Sequence, residues 1–324
     1  MSTITTIRPA TTAEWETVCH QCEYATFFHT PYWHALFNDL DGFAIIPAAQ
    51  HITFADNATA IVPLSQQKKA LGILTVSHSS PATTFGGWIS PNHLTPEHLL
   101  ALRDYLRSCH DLIWRENPYA PLLNTIDIGG SYEDFTQSID LRQELAFINQ
   151  NQSPAHTKAL RKAEREQVTI KTTATATDWE LYYQLYQSSR VRWKKRDAAM
   201  KQSSGYPRLL FERLSNLAPD QCRLFSAWHN SGMIAGVICL SWNHHTVTWH
   251  GAASGESFNL RPNNLLYDTI IRQSHAEGRH WIDFNPAGGH EGVVTFKEHL
   301  GAQRLQSRVV NQKSLLRKII SIVR

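Results

Sequence analysis

The chain's most evident capacity for chemistry lies in its bases. Lys158, Arg161, Lys162 and Arg165 recur at helical spacing, and Arg190, Arg192, Lys194, Lys195 and Arg196 surround Trp193. Cations grouped in this way attract phosphate-bearing ligands, although any one group also fits a solvated helix face. A further group closes the sequence: residues 299–324 hold six bases and no acid, whereas residues 1–66 hold six acids and one base, Arg8. The total hides this polarity, since 31 Lys and Arg against 28 Asp and Glu leave a formal charge of +3. Three basic clusters in one half point to an anionic substrate. No Gly-x-Gly-x-x-Gly, Walker loop, His-Glu-x-x-His or nucleophile-elbow serine occurs, which removes the commonest dinucleotide, nucleotide, zincin and hydrolase readings. Cys19 and Cys22 form a CxxC, yet with Trp15 and Val18 they share one helical face, and no second CxxC or His pair completes a zinc set. The thiols read as core residues, and no metal site is expected.

These groups need a scaffold, and at 324 residues, 42% hydrophobic and 18% charged, the chain is long enough for two domains with separate cores. Disorder, collagen and a disulfide miniprotein are excluded. The longest apolar run, Met233 to Leu240, is less than half of the roughly 20 residues of a membrane span. An N-terminus without a basic start and an apolar stretch shows no secretory signal, and five cysteines, an odd number with mostly wide spacing, suit a reducing compartment, so a cytoplasmic protein is expected. The order of elements repeats. Ile4 to Arg8 reads as a strand, followed by a capping box of Thr11 and Glu14 and a helix with Trp15-Glu16; Val168 to Lys171 reads as a strand, followed by Thr177 with Glu180 and a helix through Trp179, Tyr182, Leu185 and Tyr186. Two copies of one α/β unit, joined between Gly129 and Ser153, are expected.

Further along the first copy, Thr30-Pro31 caps a helix that buries Trp33, Leu36, Phe37 and Leu40. Strands follow at Phe43–Ala49, Ala58–Leu64 and Leu71–Ser77, a helix at Thr95-Pro96 and a strand at Leu122–Ile128. The second copy reads as a basic helix from Ser153-Pro154 to about Glu166 and a long helix to about Arg196. Three antiparallel strands come next, at Cys222–His229, Met233–Trp242 and His245–Ala253, then a helix over Leu260–Gly278, a strand at Trp281–Phe284, a helix at Val293–Leu300 and a strand at Arg304–Val310.

Ile7-Arg8-Pro9-Ala10-Thr11, leading into a capped helix, resembles the opening of many N-acetyltransferases of the GNAT superfamily. Residues 261–302 are more specific: Arg-Pro-Asn-Asn-Leu-Leu, a helix ending in Glu-Gly, Trp-Ile-Asp-Phe-Asn, then Glu-Gly-Val-Val-Thr-Phe-Lys-Glu-His-Leu-Gly-Ala. This stretch resembles the C-terminal signature of FemAB-like acyltransferases, the doubled GNAT proteins that include peptidoglycan aminoacyltransferases and acyl-CoA-dependent relatives. Thr30-Pro31-Tyr32-Trp33, Phe85-Gly86-Gly87 and Leu160-Arg161-Lys162-Ala163 are similar to further family segments, in the right order. The resemblance implies an α/β (α+β) protein of two GNAT-like domains, each a mixed, largely antiparallel sheet flanked by helices. They are expected over 1–150 and 151–310, the second holding the donor site, before a basic amphipathic helix over 311–324, docked on the core or lying at a membrane interface.

Acyl transfer to an amine needs a deprotonated nucleophile, a carbonyl held within roughly 3.5 Å of it and donors aimed at the developing oxyanion; it needs no metal. In the implied fold the donor's phosphates meet a helix N-terminus, here near Pro262 to Asn264. The glycine-spaced pyrophosphate loop of ordinary GNAT proteins is replaced by Asn259 to Asn264. Arg261 there either forks a phosphate or faces solvent, and Asn263 and Asn264 either bond the donor or cap the helix. Lys297 matches the family's Phe-Lys motif, which implies an electrostatic role near phosphate or carbonyl. Gly288, Gly289 and Gly292 read as a loop able to close over substrate. Asp283 and His250 are the candidate general bases, and Arg190, Arg192 and Trp193 the candidate acceptor contacts. No tightly bound cofactor is expected. The implied cosubstrate is acyl-CoA or aminoacyl-tRNA, and the acceptor is an anionic precursor. The competing class is a non-catalytic protein whose basic surface holds RNA or an anionic membrane.

Overall fold

Strand β1 (Ile4–Pro9) leads into α1 (Thr12–Gln21) through a capping box: Glu14 N–H donates to Thr11 Oγ1 at 3.3 Å, and Thr11 N–H to Glu14 Oε2 at 2.9 Å. The expected face of α1 is inward, with Trp15, Val18 and Cys19 buried, and Cys22 is buried beside it as a free thiol. Thr30 caps α2 (Pro31–Ala35), whose Trp33 packs against Phe28 and Phe37. The computed structural model describes residues 3–41, 43, 45–69, 72–122, 127–129, 131–196 and 205–322.

After α2 come β2 (Ile45–Pro47), β3 (Gln50–Phe54), β4 (Thr59–Val62), β5 (Ser65–Lys69), β6 (Leu74–His78), α3 (Pro96–Ser108), β7 (Leu112–Arg115) and β8 (Ser131–Tyr132). β3 joins β1 and β4 in one antiparallel sheet, and β5, β6 and β7 lie in a second in which only β6–β7 is parallel among the described pairings. Leu99, Leu102 and Leu106 bury the inner face of α3 as their spacing requires. Most of the strand expected at Leu122–Ile128 lies outside the described residues.

The second unit contains β9 (Phe135–Asp140), α4 (Leu145–Gln150), α5 (Pro154–Arg165), β10 (Thr169–Lys171), α6 (Ala176–Arg196), α7 (Arg208–Ser215), β11 (Cys222–His229), β12 (Gly232–Trp242), β13 (His245–Ala253), α8 (Pro262–Ala276), β14 (Trp281–Asp283), α9 (Glu291–His299) and β15 (Gln303–Gln306). Its sheet runs β10-β11-β12-β13-β14-β9-β15. The chain then returns to the first unit with β16 (Val309–Gln312), which pairs with β7 and β8, and ends in α10 (Leu315–Ile322).

The two compact units are therefore Met1–Phe135 with Leu305–Arg324, and Thr136–Arg304. The expected boundary at 150/151 falls later than this division because β9 pairs with β14, Ser138 opposite Asp283. The tail from 305 belongs with the first unit because Arg308 forks the buried Glu116 at 2.8 and 2.9 Å and Ser307 Oγ donates to the Glu116 carbonyl. That detour also splits the single strand expected over Arg304–Val310 into β15 and β16. One cap moves as well: α6 opens on Thr175 and Asp178, with Thr175 N–H donating to Asp178 Oδ2 at 2.8 Å, rather than on Thr177 and Glu180. Trp179 thereby sits four residues after its cap, as Trp15 does after Thr11, so the repeat is closer in register than the sequence pattern implies. Among the described residues no helix is long and apolar enough to cross a membrane.

Candidate active site

The β12–β13 hairpin and the short strand β14 create an opening in the second unit's sheet. Asn230 and Ser231, with φ of +46° and +66°, make the tight turn into β12. Opposite Ile238 and Cys239 the partners are His250 and Thr248, so Trp249 is an extra residue bulging from β13. β13 and β14 run parallel for only His245–Val247 against Trp281–Asp283. Beyond these pairs the strands part, and side chains meet the edge of β13: Asn285 Nδ2 donates to the Thr248 carbonyl and the Tyr182 hydroxyl to the His250 carbonyl.

A cleft of about 400 Å³ fills the gap, lined by Thr248, Trp249 and Gly251 of β13, by Asn285 and Pro286 after β14, by Asn263 and Tyr267 of α8 and by Phe296 and Lys297 of α9. Gly236 of β12 forms part of the wall because nothing larger fits: a Cβ there would stand 2.6 Å from the buried ring of Tyr182. Arg192 and Trp193 reach the same cleft from α6.

Lys297 is only 5% exposed, and its Nζ donates to the Asn285 carbonyl at 2.5 Å. Burial pulls its pKa down to about 8, with the charge of Asp283 pulling the other way. Asp283 is fully buried. Its Oδ1 accepts from Thr136 Oγ1 at 2.7 Å and from the Asn285 N–H at 2.6 Å, so it fixes the end of β14 and offsets the lysine's charge.

The other expected site residues are dispersed. His250 is absent from the cleft lining; its Nδ1 lies 2.6 Å from the Tyr182 hydroxyl, and its ring is packed among Tyr186, Tyr206 and Phe211. Burial lowers its pKa to about 4, which keeps it neutral near pH 7. Asn263 lines the cleft, whereas Asn264 turns its Nδ2 to His156 Nδ1 at 3.0 Å. Arg261 is exposed in the left-handed conformation at the head of α8 and caps nothing with its side chain. Gly288 and Gly289 form an exposed turn with φ of +61° and +82°; among the loop's glycines Gly292 reaches the cleft. Arg190 lies over Tyr186 and near Gln187, outside the cleft lining that Arg192 and Trp193 join. Thr136, Asn285 and Tyr267 were not among the expected site residues. The one signal for Asn285 is its place at the end of Trp-Ile-Asp-Phe-Asn.

Residues 154–298 match the family model described as an acetyltransferase (GNAT) domain. The chain's fold is similar to that of FemX, with a TM-score of 0.68 at 11% identity over 97% of this chain and 99% of that one. It is also similar to a tandem GNAT protein from the clavulanic acid biosynthesis pathway (TM-score 0.51, 10% identity, 95% and 98% covered). A third likeness is to the C-terminal domain of a putative lysylphosphatidylglycerol synthetase from Agrobacterium fabrum (TM-score 0.52, 9% identity, 85% and 87% covered). No curated protein matches the chain. Residues 154–298 are thus a GNAT acetyltransferase domain, and the whole chain has the doubled, FemAB-like GNAT fold. The class of that domain is acyltransferase.

Proposed function

We propose that the chain is an N-acyltransferase that moves an acyl or aminoacyl group from acyl-CoA, or from aminoacyl-tRNA, to an amine of an anionic acceptor such as a cell-envelope or nucleotide-sugar precursor. The observation that carries this reading is the cleft at the parting of β13 and β14, with the buried cation Lys297 in its wall. The cleft where β13 and β14 part suits an extended, amide-bearing chain such as a pantetheine arm, which can lie along the strand. The acceptor's neutral amine attacks the acyl carbon, the C–N bond forms, the bond to the donor's sulfur (or to the ribose oxygen of an aminoacyl-tRNA) breaks, and the leaving atom takes up, by way of water, the proton that the amine loses. Lys297 offsets negative charge developing on the acyl oxygen or carried by the donor. Asp283 acts through Lys297, and Arg192 and Trp193 are the acceptor contacts.

Aminoacyl-tRNA stays as the second donor because Lys158, Arg161, Lys162 and Arg165 of α5 have no carboxylate partner among the described residues. A putative lysylphosphatidylglycerol synthetase among the similar folds also admits a lipid acceptor.

Calorimetric titration with coenzyme A and acetyl-CoA at two salt concentrations tests the donor. Saturable binding should bring about 2.7 kcal/mol of thermal stabilisation at a hundredfold excess over Kd. Absence of binding together with salt-sensitive affinity for charged tRNA would select the aminoacyl branch. Silence with both, and unchanged RNA or membrane affinity in Lys297→Ala, would favour the non-catalytic class.

A further inference from the structure

Asn285 stands where β13 and β14 separate, and its polar groups bind three different parts of the cleft. Its N–H donates to Asp283 Oδ1 at 2.6 Å, its Nδ2 donates to the Thr248 carbonyl at 3.2 Å, and its own carbonyl accepts from Lys297 Nζ at 2.5 Å. The contact with Thr248 fixes the orientation of the amide, because a carbonyl can only accept. The side chain thus bridges the two strands where their pairing has ended. Its backbone is left-handed, φ +58°, a conformation asparagine tolerates better than most residues. The remaining group, Oδ1, is buried and has no hydrogen-bond partner, although the residue lines the cleft. A buried acceptor left unpaired is costly, and a ligand N–H would remove that cost.

We propose that Asn285 is the positioning residue of the cleft: its side chain braces the parted strands, its carbonyl thereby holds Lys297 at the reacting end, and its Oδ1 receives an amide N–H of the bound acyl donor. The ligand part rests on the acyltransferase reading; the hold on Lys297 does not. The brace explains how a short β14 can end at Asp283 while the chain still delivers a carbonyl to α9. It also couples donor binding to the lysine, since one residue touches both.

The test reads Lys297 directly. Competitive acetic-anhydride labelling of Lys297 against pH, followed by mass spectrometry, gives its titration midpoint in the wild type, Asn285→Ala and Asn285→Gly. The charged or titratable groups around Lys297 are Asp283 from β14, Tyr267 from α8 and Arg192 from α6. Burial keeps Tyr267 a neutral phenol. Asn285→Ala should lower the midpoint, because the freed carbonyl no longer favours the ammonium. Asn285→Gly, which removes the same brace while tolerating the left-handed backbone, should lower it likewise. With acetyl-CoA as the probe, Asn285→Ala should also lose tenfold or more in kcat/KM. If the alanine variant does not fold, Asn285→Gly, which suits the left-handed backbone and removes the same brace, carries the test. Coincident midpoints in the folded proteins overturn the proposal. Shifted midpoints in a chain that transfers no acyl group would keep the hold on Lys297 and discard the donor contact together with the acyltransferase reading.

Discussion

Lys297 carries a charge that its surroundings oppose. In the unfolded chain its ammonium titrates near 10.4, and in the folded protein near 8. Between these values the unfolded state binds more protons, so stability rises with pH across that window; below 8 both states are charged and the full penalty, about 3 kcal/mol, remains. A site that keeps such a group gives up stability for chemistry. Lys297→Met should accordingly raise the unfolding free energy at pH 7 by up to about 3 kcal/mol, the loss of the Asn285 hydrogen bond subtracting from the gain. The same variant should lower acyl transfer at least a hundredfold, and urea denaturation beside a turnover assay reads both. A variant with wild-type turnover would remove Lys297 from the reaction. If the charged lysine is the active form, wild-type transfer should fall as pH rises through 8. Of this arrangement the sequence displays Lys297 and Asp283 as residue types at suggestive places. The link between them is hidden, because Asn285 acquires its role only where two strands whose paired residues lie 36 positions apart diverge.

At the scale of elements, the hairpin strands were legible because local chemistry marks their ends. Asn230, Ser231 and Asn243 take positive φ at the turns, and β11, β12 and β13 lie within a residue of the expected bounds. The strands β3, β5 and β7 are short and each also pairs with a strand further off, β1, β2 and β16 respectively, a relation that alternation alone does not encode. Gly236 is a site where packing decides the residue. Its Cβ position is 2.6 Å from Tyr182 Cδ2 and 3.3 Å from the Phe225 carbonyl, and the Tyr182 ring is fully buried. Gly236→Ala must displace that ring, so it should destabilise the second unit by about 1–3 kcal/mol and disturb the Tyr182–His250 contact. A crystal structure of the variant with the ring unmoved would contradict this account. The relocated cap offers a milder change: Thr175→Ala removes the acceptor for the Asp178 N–H and should cost about 1 kcal/mol, whereas Thr177→Ala, inside the helix, should cost little or nothing. Equal losses in thermal unfolding would return the cap to Thr177.

Across the whole molecule, four imidazoles with strongly lowered pKa values are unevenly shared between the units. His29, His34 and His78 belong to the first unit, with pKa values lowered by burial from 6.5 to about 4, 3 and 4, while in the second His250 falls to about 4. The unfolded chain takes up protons at these groups as pH falls through 6.5, and the folded chain does so only near 4 or below. In that interval the unfolded state binds more protons, so each histidine removes about 1.4 kcal/mol of stability per pH unit. At pH 5 that is about 2 kcal/mol per histidine, three times over in the first unit and once in the second. Such losses approach the whole stability of an ordinary domain. Mild acid should therefore loosen the first unit before the second, leaving the cleft of the second unit folded after α1, α2 and their sheets have opened. Hydrogen exchange read by mass spectrometry at pH 7 and pH 5, corrected for intrinsic rates, resolves the order. Protection lost equally in Met1–Phe135 and Thr136–Arg304 would show that the buried histidines do not set it, whereas selective loss in the first unit should be reduced in a His34→Gln variant that folds at pH 7.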